Sequence, residues 1–535
     1  MKRRDFLAAT AASALPLACR RQPEFPFPGE LVGPDLPTGH WVRGGLFPEP
    51  DHYEPVSVLI VGGGVAGLSA AWRLAGAGLD DFRVLELEAV PGGTSRAAQN
   101  HVSPYPWAAH YLPVPDRGNH AVLRLLKECG VLQGFDARGE PLFAEEATVR
   151  SPEERLFAYG QWWEGLYLRA GSSPEDERQY HAFFQEVDHW AAYKDAKGRP
   201  AFSIPRSRCS DAPEARALDG LSFGAWLEAR GLDSPRLRWL LDYACRDDYG
   251  SRLDTTSAWA GLFYFAARKQ GPGEDSRPLL TWPSGNGFLV EHLRRVVGDR
   301  LSCHTLATAI RSGKDGLLVT TWDGLNQRRR GFHARRVIFA GPQHVARHVI
   351  EGLSAARPAS TRIRNAPWLV ANLTLRARPP ESGFPLAWDN VPRDGEALGY
   401  VVATHQSLRD HGPTVWTWYR PFAGPDCDAE RARLRAMDWP ACARMVMEDL
   451  RPAHPDLEKL VTRLDVMRWG HAMVRPAPGL LWDREFLALS QPFGSIHFAH
   501  TELSGLALFE EAQDHGLRAA EEVLAALGRP GLSWR

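Results

Sequence analysis

Paired cysteines, an excess of either charge, and internal repeats are all missing from this sequence. The seven cysteines are scattered, with no CxxC pair and no Cys/His cluster at metal-ligating spacing. Neither a disulfide framework nor a zinc site is indicated. The 63 Lys and Arg against 64 Asp and Glu leave a formal net charge of −1, which gives nucleic acid or an acidic membrane surface nothing to hold. No internal repeat or low-complexity run breaks the body of the chain, and lysine is scarce. Tryptophan is abundant instead, at 19 residues. Many must line a core, but the indole face is also a common wall for flat or cationic ligands. At 535 residues the chain exceeds what one hydrophobic core supports, so two domains are expected.

The N-terminus reads as an address. Met1-Lys2-Arg3-Arg4-Asp5-Phe6-Leu7 is a basic start, followed by a small apolar run to Ala18 and then Cys19. That run is too short for a mature membrane helix but suits a signal core. Arg3-Arg4-x-Phe6-Leu7 resembles a bacterial twin-arginine signal, and Leu17-Ala18-Cys19 resembles the end of a lipobox, with Pro16 departing from its usual Leu. The expectation is a signal segment over 1–19, read by the twin-arginine export machinery. The protein would then be periplasmic, or held on the outer side of the bacterial inner membrane if Cys19 is acylated. Residues 20–54 are rich in Pro and Gly without periodicity, an extended leader wrapped over or tethering the folded body.

Val56 to Val61 is a short, β-branched apolar run, as a strand buried on both faces should be. Gly62-Gly63-Gly64-Val65-Ala66-Gly67 follows as G-x-G-x-x-G, and Leu68 to Ala77 reads as a helix. Gly62 makes the tight turn, Gly64 lets backbone approach a pyrophosphate, and Gly67 lets the helix pack on the strand. Val65 and Ala66 open the helix, whose free N–H groups and dipole favour phosphate. Phe82 to Leu87 reads as the second strand with Glu88 at its end, 21 residues after Gly67, placed to accept both ribose hydroxyls. Glu86 lies further back inside that strand. Strand, glycines, helix, strand and acid in register form a dinucleotide fingerprint.

Leu87-Glu88-Ala89-Val90-Pro91-Gly92-Gly93-Thr94-Ser95-Arg96 resembles a run of the flavin amine oxidase and phytoene desaturase superfamily. The resemblance implies that Gly92, Gly93, Thr94 and Arg96 contact the phosphates and ribityl chain of FAD. Gly494 to Ala499, Thr501-Glu502, Gly505 and the stretch Leu508 to Ala520 are similar to the family's C-terminal motif, implying that Glu502 serves the diphosphate or ribitol region. His500 and Glu511 stand where the family usually has glycine. Trp282 to Leu289 resembles a turn before a helix, and Arg336 to Pro342 a closing strand of the cofactor domain. The implied fold class is α/β, with a discontinuous Rossmann-type FAD-binding domain (55–135, 275–345 and 465–535) and an α+β substrate domain (136–274 and 346–464). Within the latter, Phe183–Tyr193, Phe223–Ala229 and Arg236–Ala244 read as helices, and Leu369–Leu375, Leu398–Thr404 and Thr414–Tyr419 as strands.

A flavin accepts hydride itself, so the protein supplies position, electrostatics and dryness. His471 is a candidate acid, base or donor; Trp469, Trp388-Asp389-Asn390 and Trp416-Thr417-Trp418-Tyr419 are candidates for an aromatic wall. Arg246-Asp247-Asp248-Tyr249-Gly250 concentrates charge after an apolar helix and reads equally as its cap. Flavin amine oxidases commonly carry a lysine on the strand matching Leu369–Leu375, and none is present. The leading expectation is an FAD-dependent oxidoreductase that takes hydride from the carbon beside an amine. Beside it stand a desaturase or isomerase acting on a hydrophobic C–C substrate, and a protein that retains FAD without turnover.

Overall fold

The computed structural model describes residues 24–44, 48–271, 273–407 and 409–535. The signal segment and Cys19 lie outside the described residues. Two seven-stranded sheets organise the chain. The first is built on Tyr53–Val61, which pairs in parallel with Phe82–Leu85 on one side and with Arg328–Phe339 on the other. Leu301–Ser302 extends it past Phe82–Leu85. Leu317–Asp323 and Thr305–Ser312 continue it antiparallel, and Ile496–Phe498 joins in parallel at the C-terminal end of Arg328–Phe339.

Alternation along Tyr53–Val61 explains its composition. Val58 and Ile60 belong to one core, Leu59 to another on the opposite face, and none of the three is exposed. Helix Val65–Gly76 covers the first of these faces with ten consecutive buried residues, because helix Phe509–Ala526 packs on its far side. A Cβ at Gly516 would stand 2.3 Å from the carbonyl oxygen of Ala66, so that helix pair closes to backbone contact only over glycine.

The second sheet runs in the order Val461–Val474, Asn365–Leu375, Thr414–Pro421, Gly399–Val402, Asp389–Pro392, Glu154–Ala158, Gln161–Glu164. Every residue of Asn365–Leu375 is buried. Leu369, Ala371, Leu373 and Leu375 face a core shared with helix Trp439–Leu450, while Ala366, Trp368 and Val370 face the opposite core. A helical cluster of Pro174–Ala192, Phe223–Glu228, Pro235–Tyr249 and Ala258–Ala266 has its own core.

Two local readings change. Arg246 to Tyr249 do not follow a helix but finish it: the helix runs Pro235–Tyr249, and Gly250 ends it in the left-handed conformation at φ 55°. Val461–Val474 pairs along its length with Asn365–Leu375, so the segment after 465 stays in the second sheet and the chain re-enters the first only at Ile496–Phe498.

Candidate active site

The cradle begins where Tyr53–Val61 ends. Gly62 turns at φ 110°, a region that favours glycine. A Cβ on Gly67 would lie 1.9 Å from the carbonyl oxygen of Gly62, whereas one on Gly64 would meet nothing within 4 Å. Gly67 therefore serves packing, and Gly64 leaves room for a ligand at the mouth of helix Val65–Gly76. That helix has no side-chain cap, so its first N–H groups are free to receive phosphate. The Gly92-Gly93 loop lies alongside: the Gly92 N–H donates to the Gly63 carbonyl at 2.8 Å, and Gly64 bridges Gly92. These features fit a dinucleotide diphosphate.

The acid at the end of the second strand is not the expected one. The strand stops at Leu85, two residues earlier than the sequence pattern indicated, so Glu86 is the residue that leaves it. Its carboxylate accepts from the Gly63 N–H at 2.7 Å and from the Glu88 N–H at 2.8 Å. Burial pushes the Glu86 carboxyl above its ordinary range, against those two hydrogen bonds. Glu88 turns the other way, pairing with Arg96 at 3.1 Å and accepting from the Asp35 N–H at 2.9 Å.

Glu502 is 1% exposed and its carboxylate is already engaged. It accepts from the Gln343 N–H at 2.6 Å and from the Asn365 side-chain amide. Its own N–H donates to His500 Nδ1 at 3.2 Å, so the histidine in place of glycine caps this turn in extended backbone. Glu511 accepts from the Arg206 N–H at 2.6 Å, tying the start of helix Phe509–Ala526 to the helical cluster.

A second constellation lies between the Gly92-Gly93 loop and the second sheet. The Trp107 N–H donates to the Arg96 carbonyl and the Ala109 N–H to the Thr94 carbonyl, each at 3.0 Å, so the strand-like loop carrying His110 is fastened to the cradle. Trp469 Nε1–H donates to the Trp107 carbonyl at 2.8 Å, and the Tyr419 hydroxyl to the Ala108 carbonyl at 3.0 Å. The His110 ring stacks on Tyr419 at 4.8 Å and tilts against Trp388 at 5.4 Å. Its Nδ1 is 3.0 Å from the Ala108 carbonyl, which assigns the proton to Nδ1 and leaves Nε2 an acceptor. Burial holds its pKa down at about 4.

Beyond this wall stand carboxylates. The Tyr243 hydroxyl donates to Asp389 and the Tyr264 hydroxyl to Asp247, both at 3.3 Å. Burial raises Asp389 well above the carboxylate range, and the neighbouring Asp247 and Glu154 raise it further. Glu154 rises to about 7 by burial and then by Glu153. Asp247 is raised by burial and by Asp248. Asp248 has its cation in Arg268, 2.7 Å away; Asp247, Asp389 and Glu154 have no ion-pair partner among the described residues. Glu510 at the start of Phe509–Ala526, raised to about 7 by burial, senses Arg268 and Asp248. A cluster of acidic side chains, which the sequence did not reveal, is present beside the aromatic wall.

The remaining candidates separate. His471 stacks on His344 at 3.8 Å in a cavity of ≈ 250 Å³ that Gly33, His40 and Arg431 also line. Burial, then His344, hold its pKa down at about 2, which favours the neutral ring. Trp469 serves the His110 loop. Trp416 and Trp418 face the core of Trp439–Leu450, while Tyr419 faces the site, as alternation along one strand requires.

The family model for flavin containing amine oxidoreductases matches residues 65–524. A human peroxisomal N(1)-acetyl-spermine/spermidine oxidase is 43% identical over 76 residues, which are 14% of this chain and only 15% of that relative's length. Wild-type putrescine oxidase bound to putrescine superposes with a TM-score of 0.63 at 16% identity, over 89% of this chain and 100% of the other. A CLA-producing fatty acid isomerase from P. acnes superposes with a TM-score of 0.60 at 15% identity, over 88% and 98%. At these identities the superpositions speak to fold alone.

Proposed function

Because this chain belongs to the flavin containing amine oxidoreductase family, we propose that it is an FAD-dependent oxidoreductase whose substrate is an amine. Gly64, Val65 and Ala66 would meet the diphosphate, Glu86 the adenosine ribose, and Gly92, Gly93 and Thr94 the ribityl chain. Glu502, with its carboxylate engaged, holds the turn before Phe509–Ala526 in shape. Bound flavin supplies the hydride acceptor.

The observation that carries the substrate class is the group Asp247, Asp389 and Glu154, half-buried and close enough to raise one another, with no ion-pair partner among the described residues. Carboxylates cost free energy in such a place unless a positive group joins them. An ammonium brought to the Trp388 side of this wall would meet an aromatic face and carboxyls whose ionised form its charge favours. An amine must be neutral to yield hydride, so its proton has to leave; Glu154, raised to about 7, accepts it far better than an ordinary carboxylate would. His110, neutral throughout this range, offers Nε2 as acceptor to the N–H of the deprotonated amine.

The lysine-free strand Asn365–Leu375 favours a second reading, isomerisation or desaturation of a hydrophobic C–C substrate. Three carboxylates at the aromatic wall weigh against an apolar chain there. Anaerobic titration of the yellow protein with panels of amines and of unsaturated fatty acids separates the two. Bleaching of the flavin bands by amines, faster as pH rises, supports the proposal; bleaching by no amine at any pH overturns it. We also propose that Arg3-Arg4 directs export of the loaded protein to the periplasm.

A further inference from the structure

Residues 24–44 precede the stretch 65–524 that the family model matches, yet they touch both sheets. Phe25 and Phe27 are 8% and 5% exposed, stacked at 5.3 Å and set edge-on to Trp439, in the core of the second sheet. The next residues run alongside Val461–Val474, joined by an isolated parallel bridge between Leu31 and Val466. The Leu464 N–H donates to the Pro28 carbonyl at 3.0 Å, the Val466 N–H to Glu30 at 2.9 Å, and the Val32 N–H to Val466 at 2.8 Å. A Cβ on Gly29 would stand 1.7 Å from the Leu464 carbonyl oxygen, so glycine alone permits this approach.

The segment then crosses to the other layer. An added Cβ on Gly33 would lie 3.4 Å from the Arg96 guanidinium, and the Asp35 N–H donates to Glu88 at 2.9 Å. Asp35 also caps the short helix Leu36–His40 by accepting from the Thr38 N–H at 3.2 Å. Gly39 lies against the Leu87 side chain. Beyond it Val42 is buried in the core of the first sheet and Trp41 meets Trp322 edge-on at 5.8 Å. The two ends are thus anchored in different cores. The middle passes over Glu88 and Arg96, residues flanking Glu86 and the Gly92-Gly93 loop. Under that middle lies the ≈ 250 Å³ cavity with Arg43, Arg431, Arg435 and Arg468 in its lining.

We infer that residues 24–44 are a strap that forms the outer wall of the cofactor cleft and slows the cofactor's escape. The inference rests on FAD occupying the glycine cradle. Its fastening over the cleft is sparse, chiefly the Asp35 N–H to Glu88 and the Arg468 N–H to the Gly33 carbonyl at 3.4 Å, so the middle can lift while Phe25, Phe27 and Val42 stay seated. A cofactor held this way exchanges slowly even where its equilibrium affinity is ordinary, since release waits on the strap.

Three forms of the FAD-loaded protein test this: a chain beginning at residue 48, Asp35→Pro, and Asp35→Asn. Asp35 sits at φ −71°, which proline adopts, so Asp35→Pro removes the N–H donor and the side-chain cap without forcing φ; Asp35→Asn keeps both. The readout is the rise of free-flavin fluorescence after dilution into flavin-free buffer. The truncated chain should release FAD at least about tenfold faster. Asp35→Pro should be at least about 2–10-fold faster, the loss of the hydrogen bond to Glu88 and of the helix cap together, and Asp35→Asn unchanged. Equal release rates for wild type and Asp35→Pro, with far-ultraviolet circular dichroism intact, overturn the strap even if the truncated chain does not fold. Protein that takes up no FAD overturns the cofactor reading and the strap with it; bound FAD with unaltered release overturns the strap alone.

Discussion

Glu86→Ala should weaken FAD binding about 10- to 150-fold, and Glu88→Ala should leave it within about threefold of wild type. The first figure is one hydrogen bond to a charged acceptor, about 1.5–3 kcal/mol, at about 1.4 kcal/mol per decade. Glu86 is oriented for that bond beforehand: its two oxygens are pinned by the Gly63 and Glu88 N–H groups at 2.7 and 2.8 Å, so the ribose meets a carboxylate already in place. The Glu88 carboxylate is directed to Arg96 and Asp35. Losing it strips a partner from Arg96, whose side chain is 8% exposed, and lowers thermal stability rather than cofactor affinity. Titration of apoprotein with FAD, followed by quenching of flavin fluorescence, gives both dissociation constants. If Glu88→Ala costs tenfold or more while Glu86→Ala costs little, the assignment of the ribose to Glu86 is wrong.

Further outcomes can be checked on the same protein. Burial raises Glu154 to about 7, so the folded state favours its protonated form; the stability this contributes is complete below the unfolded carboxylate pKa and is lost as pH rises through about 7. Glu154→Gln should therefore flatten the fall in melting temperature between pH 5 and 8, while raising the KM for an amine; a fall as steep as wild type refutes the burial. Gly67→Ala places a methyl 1.9 Å from the Gly62 carbonyl and should cost about 1–3 kcal/mol or more in unfolding free energy. Gly64→Ala, with open space at its Cβ, should leave the apoprotein's melting temperature unchanged and weaken FAD binding. Replacing Arg3 and Arg4 with lysine should leave loaded protein in the cytoplasm, and unchanged periplasmic recovery on fractionation would dismiss the twin-arginine signal.

The cradle was legible because it is local. Val58 to Gly67 form strand, turn and helix within one stretch, and each glycine answers to a contact inside it. Apolar runs likewise located Asn365–Leu375 and Thr414–Pro421, with ends displaced by a few residues, and the C-terminal half of Pro174–Ala192, whose charged first turns precede the expected start at Phe183. The strand end was the costly error. Leu87 is apolar and follows the pattern of a strand, yet pairing stops at Leu85, and two residues decide which glutamate faces the turn.

The acidic cluster beside His110 was illegible for a different reason: nothing in the sequence brings His110, Glu154, Asp247 and Asp389 together. They come from a loop, a strand, a helix end and another strand, and the sheet order sets Glu154–Ala158 beside Asp389–Pro392 in parallel, a pairing that no local pattern announces. Asp247 looked like the solvated end of a helix because Arg246, Asp247 and Asp248 are charged neighbours. In the fold Asp248 meets Arg268 and Arg246 meets Asp242, so the helix's arginine is spent elsewhere and Asp247 has no ion-pair partner among the described residues. Period two also constrains the aromatic run. In Trp416-Thr417-Trp418-Tyr419 the two tryptophans must share one face and Tyr419 the other, so the four could not form a single wall. The tyrosine, on the face with Trp388 and His110, is the one placed to meet a cation.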